Sequence, residues 1–207
     1  MVDTNSEVTE VEEKILEVAC DVFLKYGINQ ATMKQIAEGA GISRTLLNYY
    51  YRSKKHLIQK FLIIIENKII PAVSNIIEDE NLTVLMKIEL FIDEYIGLIS
   101  KYPMIPSFML SETTRDPNWV IKFFKQKAIN FQKFSSQIEA EISQGKINPF
   151  KLEELFVNIL GLCAFPLLSK PILIEFFFNS NENEFNKFME SRKQAVKLMI
   201  NNWLKAS

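Results

Sequence analysis

The sequence is short of the residues that make tight turns. Its 207 residues include only 6 glycines and 7 prolines, well below the roughly 12% that the two together reach on average. It contains no Asn-Gly, Asp-Gly or Gly-Gly pair, so the usual signals of short β-hairpins are missing. Hydrophobic residues make up 48% of the chain, which is enough for a substantial core. These features together predict an all-α fold.

Cysteine and histidine are also scarce, which excludes several kinds of site. Cys20 and Cys163 lie too far apart in the sequence for a dense disulfide framework, and reduced thiols are expected. The single histidine, His56, cannot supply an HExxH zinc site, and no CxxC pair, P-loop or GxGxxG motif is present. Glu112 and Asp116 lie about one helical turn apart, but such acid pairs are usually solvated. We therefore expect no bound metal, no cofactor and no catalytic residue, and we do not expect the protein to be an enzyme.

Long hydrophobic runs are missing as well. The longest uncharged run, Leu155 to Ser169, has 15 residues and contains Pro166, so it is too short to span a bilayer. The N-terminal sequence MVDTNSEVTEVEEK is acidic and polar, unlike a signal peptide. The sequence predicts a cytoplasmic protein with no membrane contact.

Charge is unevenly distributed along the chain. The formal net charge of −1 by itself disfavours a nucleic-acid partner. Residues 1–21, however, hold seven acids and one base, whereas residues 22–60 hold seven bases and one acid. The phosphate backbone of DNA attracts basic segments of this kind, although a solvated basic surface would show the same pattern.

Helix-start signals recur along the chain as capping boxes, single capping residues and Asp-Pro or Asn-Pro pairs. They predict about nine helices, starting near Thr9, Thr32, Ser43, Ser53, Leu82, Ile105, Asp116-Pro117, Asn148-Pro149 and Asn181. Glycines and prolines predict helix ends near Gly27, Gly41, Pro71, Pro103 and Gly145. Pro166 is expected to kink a helix, and the apolar segment Pro171–Phe178 is compatible with a helical turn or an irregular packed segment.

Residues 31–50 are expected to form two short helices joined by a glycine-containing turn, the pattern of a helix-turn-helix. The surrounding run, Ile15 to Ile58, resembles the DNA-binding domain of TetR-family transcriptional regulators. An apolar helix ending in Phe-x-x-x-Gly, the sequence Thr-x-x-x-Ile-Ala-x-x-Ala-Gly-Ile-Ser, an aromatic cluster and Ser-Lys carry the resemblance. The matching residues are Phe23, Gly27, Thr32, Ile36, Ala37, Ala40, Gly41, Ile42, Ser43, Tyr49, Tyr50, Tyr51, Ser53, Lys54 and Leu57.

The resemblance implies two domains and a homodimer. An N-terminal three-helix DNA-binding domain would occupy residues 8–68, and a larger helical domain for ligand binding and dimerisation residues 69–207. In the family, the last two long helices, here at about 150–168 and 182–204, form a four-helix bundle with those of the partner. A motif containing Phe108, Arg115 and Asp116 also resembles one that some members have between their fifth and seventh helices.

Several residues are candidates for DNA contacts. The N-terminal end of a recognition helix contacts base edges in the major groove, and Ser43, Arg44 and Thr45 lie at that end. Arg44 can form two hydrogen bonds with guanine O6 and N7, and Asn48 is a candidate partner for adenine.

Backbone contacts are implied by the resemblance at Thr32, Tyr49 and Lys54, which would bind phosphates. Thr45, Leu46 and Asn48 stand where glycine, threonine and tyrosine are common in the family. We expect these departures to alter the operator sequence and not the docking.

Many aromatic and sulfur-containing side chains occur beyond residue 100. They are compatible with an ordinary helical core, but the family has a ligand pocket between these helices. The candidate lining residues are Met104, Phe108, Met109, Trp119, Phe123, Phe124, Phe131, Cys163 and Phe165. Few charges fall in Ile88–Leu110 or Leu155–Ser169, so the ligand is expected to be mostly apolar.

These features favour a ligand-responsive regulator, most simply a repressor that a small apolar effector releases from a palindromic operator. Two alternatives remain at this stage. One is a helical carrier or sequestering protein for apolar molecules, in which the helix-turn-helix is only structural. The other is a transcriptional activator of the same fold.

Overall fold

The computed structural model describes residues 4–64, 70–125 and 131–206, and no side chain is described for residues 4–9, 61, 63 and 64. These ranges contain twelve α-helices, and no strand beyond an isolated bridge between Ile147 and Lys205. The helices are α1 Thr4–Gln30, α2 Met33–Ala40, α3 Arg44–Tyr50, α4 Lys54–Ile64, α5 Ile70–Glu78, α6 Val84–Lys101, α7 Met104–Arg115, α8 Pro117–Lys125, α9 Phe131–Ser143, α10 Leu152–Leu168, α11 Lys170–Phe177 and α12 Glu182–Leu204. The prediction of an all-α fold is confirmed.

The helix count exceeds the prediction of about nine for three reasons. The helix expected from Ser53 toward Pro71 corresponds to α4, with residues 65–69 outside the described ranges. α5 was not predicted, and Pro71 lies in its first turn instead of ending a helix. The helix expected from Pro117 to Gln144 corresponds to α8 and α9, with residues 126–130 likewise outside them. The apolar segment after Ser169 is a helix of its own, α11.

Two predicted helix starts are wrong. Thr9 lies inside α1, which begins at Thr4 because no glycine or proline interrupts residues 4–9. Asn148 does not begin a helix, and α10 starts only after Lys151. Instead, the Asn148 amide N–H donates to Leu204 O at 2.7 Å and its side chain donates to Lys205 O at 2.9 Å. Asn148 thus holds the end of α12, a role that its local sequence does not indicate.

Other predicted boundaries are confirmed. The carboxylate of Asp116 accepts from the Trp119 N–H at 3.1 Å ahead of α8, and the side chain of Asn181 accepts from the Asn183 N–H at 3.0 Å ahead of α12. α10 continues through Pro166 to Leu168. The chain then turns by 70° into α11.

The chain divides into two compact units. The head unit comprises Met1–Lys68 and Ser107–Lys127, and the body unit comprises Ile69–Pro106 and Ala128–Ser207. The head unit therefore contains α8 and most of α7 in addition to the expected DNA-binding segment.

In the body unit, α6 packs on α5, α9, α10 and α12. Its inner face is mainly apolar, with Ile88, Ile92, Ile96 and Ile99 buried. This spacing of three and four residues places the isoleucines along one stripe of the helix.

A buried polar network joins α5, α6 and α9 in the body unit. The Lys87 ammonium donates to Ile77 O at 2.6 Å and to Gln137 Oε1 at 2.7 Å. Gln137 in turn donates to Glu141 Oε1 at 2.9 Å. Both Glu141 carboxylate oxygens accept from the Val84 N–H, at 3.0 and 3.2 Å. The network ties the first turn of α6 to α9 and the last carbonyls of α5 to Lys87.

No single helix within the described ranges is long and apolar enough to cross a membrane. The consecutive helices α10 and α11 satisfy the criteria of length and composition only as a bent pair.

Candidate nucleic-acid interface

The helix-turn-helix is held by the capping residues that the sequence predicts. The Thr32 hydroxyl accepts from the Gln35 N–H at 3.3 Å, while Gln35 Oε1 accepts from the Thr32 N–H at 2.8 Å. Gly41 ends α2 in the left-handed region, with φ 68° and ψ 29°, a conformation that glycine adopts without steric cost. Ser43 Oγ then accepts from the Leu46 N–H at 3.1 Å and begins α3.

An apolar base fixes these helices to α1. Ile36 and Leu47 are fully buried, and Ala37 is nearly so. α1 and α2 approach so closely that a Cβ on Gly39 would lie 2.7 Å from Val18 Cγ1. Buried anchors on both α2 and α3 leave little freedom for the outer face of α3 to move.

The three tyrosines of the aromatic cluster differ in burial. The structure buries Tyr51, leaves Tyr50 half-buried and leaves Tyr49 exposed. Tyr51 ends α3 with an extended backbone, φ −133° and ψ 93°, so helical periodicity no longer predicts the direction of its side chain. Burial raises the pKa of Tyr51 above its ordinary value.

The outer face of α3 is exposed and polar. Ser43, Arg44, Thr45 and Asn48 are exposed, and the Tyr49 side chain is 80% exposed. In the part of the chain that the structure describes, Arg44 makes no hydrogen bond or ion pair. The donors of Arg44 are therefore available to a ligand.

Thr32 and Lys54 already serve the fold. Lys54 Nζ donates to Asn29 O and to Ala31 O, both at 2.9 Å. The start of α4 is thereby tied to the segment just ahead of α2. Two of the three ammonium donors are occupied, a role that the sequence interpretation missed because the carbonyl acceptors belong to the backbone and leave no side-chain pattern.

Basic side chains of the 22–60 segment lie at the surface of the head unit. The exposed ones are Lys25, Lys34, Arg44, Arg52, Lys55 and Lys60. Lys34 is partly neutralised by Glu38 at 3.7 Å. The positive segment predicted from the sequence therefore lies at the surface, where it can attract phosphates.

Comparison with known proteins identifies this domain. Residues 15–61 match the family described as bacterial regulatory proteins, tetR family. Residues 15–61 therefore carry a TetR-type DNA-binding domain. Related proteins include the HTH-type transcriptional regulator SrpR of Pseudomonas putida, 32% identical over 59 residues, and the HTH-type transcriptional repressor BepR of Brucella suis biovar 1, 36% identical over 59 residues. Each match spans 28% of this chain and 28% of the relative.

Solved structures of transcriptional regulators share the fold of nearly the whole chain. The ketosteroid transcriptional regulator KstR2 of Mycobacterium tuberculosis aligns with a TM-score of 0.62 at 15% identity, covering 95% of each chain. A TetR-family regulator of Marinobacter aquaeolei aligns with a TM-score of 0.56 at 12% identity, covering 99% of this chain and 100% of that one. The resemblance beyond residue 61 is therefore one of fold.

The TetR-type head unit of this chain also includes α7 and α8. The rings of Phe23 and Phe108 lie 6.3 Å apart. Arg115 donates from Nη1 to Phe23 O at 3.0 Å and from Nη2 to Leu24 O at 2.8 Å. These are the last carbonyls of α1 before the break at Gly27, so Arg115 completes the end of that helical segment.

The expectation that Glu112 is solvated is wrong. Glu112 is only 5% exposed, and it accepts from the Ile28 N–H just past the break in α1. Burial raises the pKa of its carboxyl above the ordinary value. Asp116 is exposed and caps α8. The two acids thus have separate structural roles.

The candidate ligand-pocket residues are divided between the two units. In the head unit, Trp119 stacks on Phe123 at 6.1 Å and Phe123 contacts the edge of Phe124 at 5.3 Å. The head unit also contains buried Phe108 and half-buried Met109. A cleft of about 380 Å³ beside α1 is lined by Trp119 together with polar residues, including Glu112 and Arg115.

The remaining candidates belong to the body unit. Cys163 is fully buried and Met104 is half-buried, whereas Phe131 and Phe165 are exposed. Among the described residues no three His, Cys, Asp or Glu side chains are grouped as metal ligands.

Both cysteines should be unreactive in the folded protein. Burial raises the pKa of Cys20 and of Cys163 to about 12, so at neutral pH both remain protonated, and the thiolate is the reactive form. We expect a thiol-reactive disulfide reagent to modify neither cysteine in the native protein and both in urea. Rapid native modification of either thiol would contradict its placement.

Proposed function

We propose that the chain is a dimeric, ligand-responsive transcriptional repressor that binds a palindromic operator in the cytoplasm. The observation that carries this proposal is the exposed polar face of α3, fixed from below by buried Leu47, in a segment whose basic side chains are mostly exposed. A helix of this kind fits the major groove. Repression agrees with the description of BepR as a repressor.

Each exposed residue has a chemical role in the proposed complex. Ser43, Arg44 and Thr45 contact base edges, and Arg44 donates two hydrogen bonds to guanine. Asn48 lies one turn further on and can pair with adenine. These contacts provide sequence specificity.

Backbone contacts come from the edges of the same face. Tyr49 donates its exposed hydroxyl to a phosphate, Thr32 lies at the N-terminus of α2, and Lys54 offers its third ammonium donor. Because two donors of Lys54 already bind carbonyls, its charge is held in a fixed position beside the DNA backbone.

The exposed apolar side chains of α10 and α12 support the proposed dimerisation through these two helices. Val157, Gly161 and Phe165 are exposed at intervals of four residues along α10, and Gly161 leaves open space for a partner helix. On α12, Leu198 and Met199 are exposed. Pairing two heads would place the half-sites about 34–36 Å apart and multiply the affinity.

A small, mostly apolar effector would control the repressor by favouring a dimer geometry in which the heads no longer match successive grooves. Its effect is limited by the difference between its affinities for the two states. Among the proposed ligand-binding residues, the head unit holds the aromatic row of Trp119, Phe123 and Phe124.

Replacing Arg44 tests the function. On the promoter next to the gene itself, Arg44→Ala should weaken specific binding by about 1–3 kcal/mol, that is roughly 5-fold to 150-fold, and relax specificity at one base pair. Arg44→Lys retains the charge but loses the bidentate geometry, so it should retain non-specific binding and lose specific binding. Gel shifts at fixed salt measure both affinities.

Lys101→Ala is the matched control, because Lys101 is an exposed cation in the body unit. The affinity of this variant for the promoter DNA should equal that of the wild type. Unchanged specific affinity of Arg44→Ala would contradict the role of Arg44. Failure of the wild-type protein to bind any DNA at low salt, together with tight binding of apolar ligands, would favour the carrier alternative.

A further inference from the structure

The cleft beside α1 in the head unit brings acidic and aromatic side chains into one small space. Its volume of about 380 Å³ falls within the roughly 300–1,000 Å³ of small-molecule sites. All of its lining residues belong to the head unit, and those with chemistry for binding are Tyr26, Glu112, Arg115, Asp116 and Trp119. Only Trp119 also belongs to the candidate effector residues, so the cleft has a composition of its own.

One carboxylate oxygen of this cleft is buried without a hydrogen-bond donor. Glu112 is 5% exposed, and its Oε1 has no hydrogen-bond partner among the described residues. Arg115 Nη1 lies 3.9 Å from this oxygen, which is beyond hydrogen-bond distance. A buried polar atom without a partner costs free energy. A ligand that donates a hydrogen bond to Glu112 therefore gains more than it would at an exposed acceptor.

Arg115 is not free to supply this donor itself. Its Nη1 and Nη2 groups donate to Phe23 O and Leu24 O, and turning the guanidinium toward Glu112 would break both hydrogen bonds. A donor from a ligand satisfies Glu112 without this exchange. Because Glu112 lines the cleft and the terminal torsion of a glutamate side chain is soft, a group in the cleft can reach its carboxylate.

The charges of the lining favour a cationic donor. Two carboxylates, those of Glu112 and Asp116, stand against one guanidinium. Asp116 is exposed and uses Oδ1 to accept from the Trp119 N–H. Burial raises the pKa of the Glu112 carboxyl, and a cation beside it would favour its charged form. An ammonium group suits these acids, because it is a hydrogen-bond donor that also carries positive charge.

Trp119 provides an apolar wall for the rest of such a ligand. Trp119 is half-buried and stacks on Phe123 at 6.1 Å, so its ring is held in place. The Tyr26 ring, by contrast, already has Lys25 Nζ 5.2 Å from its centroid. The hydrocarbon part of a ligand therefore packs best on Trp119, whose indole also attracts a cation placed over its face.

We propose that this cleft of the head unit is a binding site for a small protonated amine that carries an aromatic or aliphatic group. The ammonium donates to Glu112 and is attracted by Asp116, while the hydrocarbon part packs on Trp119. The site takes a cation, whereas the effector of the proposed function is mostly apolar. The inference goes beyond that function, because binding of an amine does not require binding of DNA.

Titration of the full-length chain with phenethylammonium at neutral pH tests the inference. The chain has two tryptophans, so a Trp203→Phe background leaves Trp119 as the reporter within the cleft, and its fluorescence should change along a saturable curve. The uncharged isostere 2-phenylethanol should bind at least about tenfold more weakly, because the charge-assisted hydrogen bond is lost. The anion phenylacetate should not bind.

Three variants in the same background assign the binding to particular residues. Glu112→Gln keeps the size of the side chain and should weaken phenethylammonium binding at least about tenfold. Asp116→Asn retains an oxygen that caps α8 and should weaken binding by about threefold, as expected for an exposed charge. Glu17→Gln is the matched control, since it removes an exposed acid of α1 in the same unit, and it should bind phenethylammonium like the wild type.

Equal affinities for phenethylammonium and 2-phenylethanol would overturn the inference, as would equal affinities of the Glu112→Gln and Glu17→Gln variants. If circular dichroism shows that Glu112→Gln does not fold, the two probes on the wild type and the Asp116→Asn variant still decide. An unchanged affinity reported by Trp203 in a Trp119→Phe background would place the binding elsewhere and overturn the site. A chain that binds the amine as expected but binds no DNA would overturn the proposed function alone.

Discussion

Replacing Gly27 with alanine should lower the free energy of unfolding of the head unit by about 3 kcal/mol. Gly27 has φ 78° and ψ 156°, a region that is essentially restricted to glycine. A Cβ there would also lie 2.5 Å from Arg115 Nη1. The guanidinium would have to move, and its hydrogen bonds to Phe23 O and Leu24 O would be lost. The free energy of unfolding of the head unit is measured by urea titration, with Trp119 fluorescence as the signal in a Trp203→Phe background.

Two further variants separate the causes of this loss. Gly97→Ala is the matched control, since Gly97 lies on the exposed side of α6 with open space around its Cβ position. There the helix propensity of alanine should stabilise the protein by about 0.5–1 kcal/mol. The combination Gly27→Ala/Arg115→Ala removes the contact but not the backbone strain, so it should cost less than the sum of its parts. If the Gly27→Ala protein were as stable as the wild type, the positive-φ backbone conformation assigned to Gly27 would be wrong.

Replacing Glu141 with alanine should lower the free energy of unfolding of the body unit by about 3–4 kcal/mol. The side chain is buried, and removing it leaves the Val84 N–H without its acceptor. It also removes the negative charge from the network that contains the buried Lys87 ammonium. Breaking one side of a buried charged network costs more than the network's net contribution to stability. Trp203 fluorescence in a Trp119→Phe background follows the unfolding of this unit in urea.

Glu139→Ala provides the control, because Glu139 is an exposed acid on the same helix and should change stability by less than about 0.5 kcal/mol. Lys87→Met keeps an apolar chain of similar length and removes the buried charge. The double variant Lys87→Met/Glu141→Ala should therefore lose at least about 1 kcal/mol less than the sum of the two single losses. Strict additivity would show that the two groups do not interact.

Local signals in the sequence were sufficient for the helix-turn-helix. The capping box at Thr32, the left-handed glycine at position 41 and the Ser43 cap are all confirmed by hydrogen bonds or backbone angles. Each depends on residues within four positions of one another, so the sequence contains all of the necessary information. The basic segment likewise reached the surface as predicted, because charged side chains are rarely buried without partners.

Interactions distant in sequence account for the errors. Asn148 has the pattern of a helix start, but it is used to hold the end of α12, more than fifty residues away. Glu112 looked like a solvated acid, yet it is buried against the break in α1. Lys54 matched a phosphate-binding position, and two of its donors bind carbonyls. In each case the partner is a backbone group, which has no side-chain signature in the sequence.

The sequence by itself determined the all-α class, the position of the helix-turn-helix and the polar face of α3. These features follow from the local periodicity and capping of residues close together in the chain. Only the tertiary structure showed that Arg115 completes α1, that Glu141 and Lys87 join three helices, and that Glu112 and Trp119 line one cleft beside α1. Burial and hydrogen bonding between remote segments depend on how the helices pack, and one sequence without its structure does not specify which backbone groups come together.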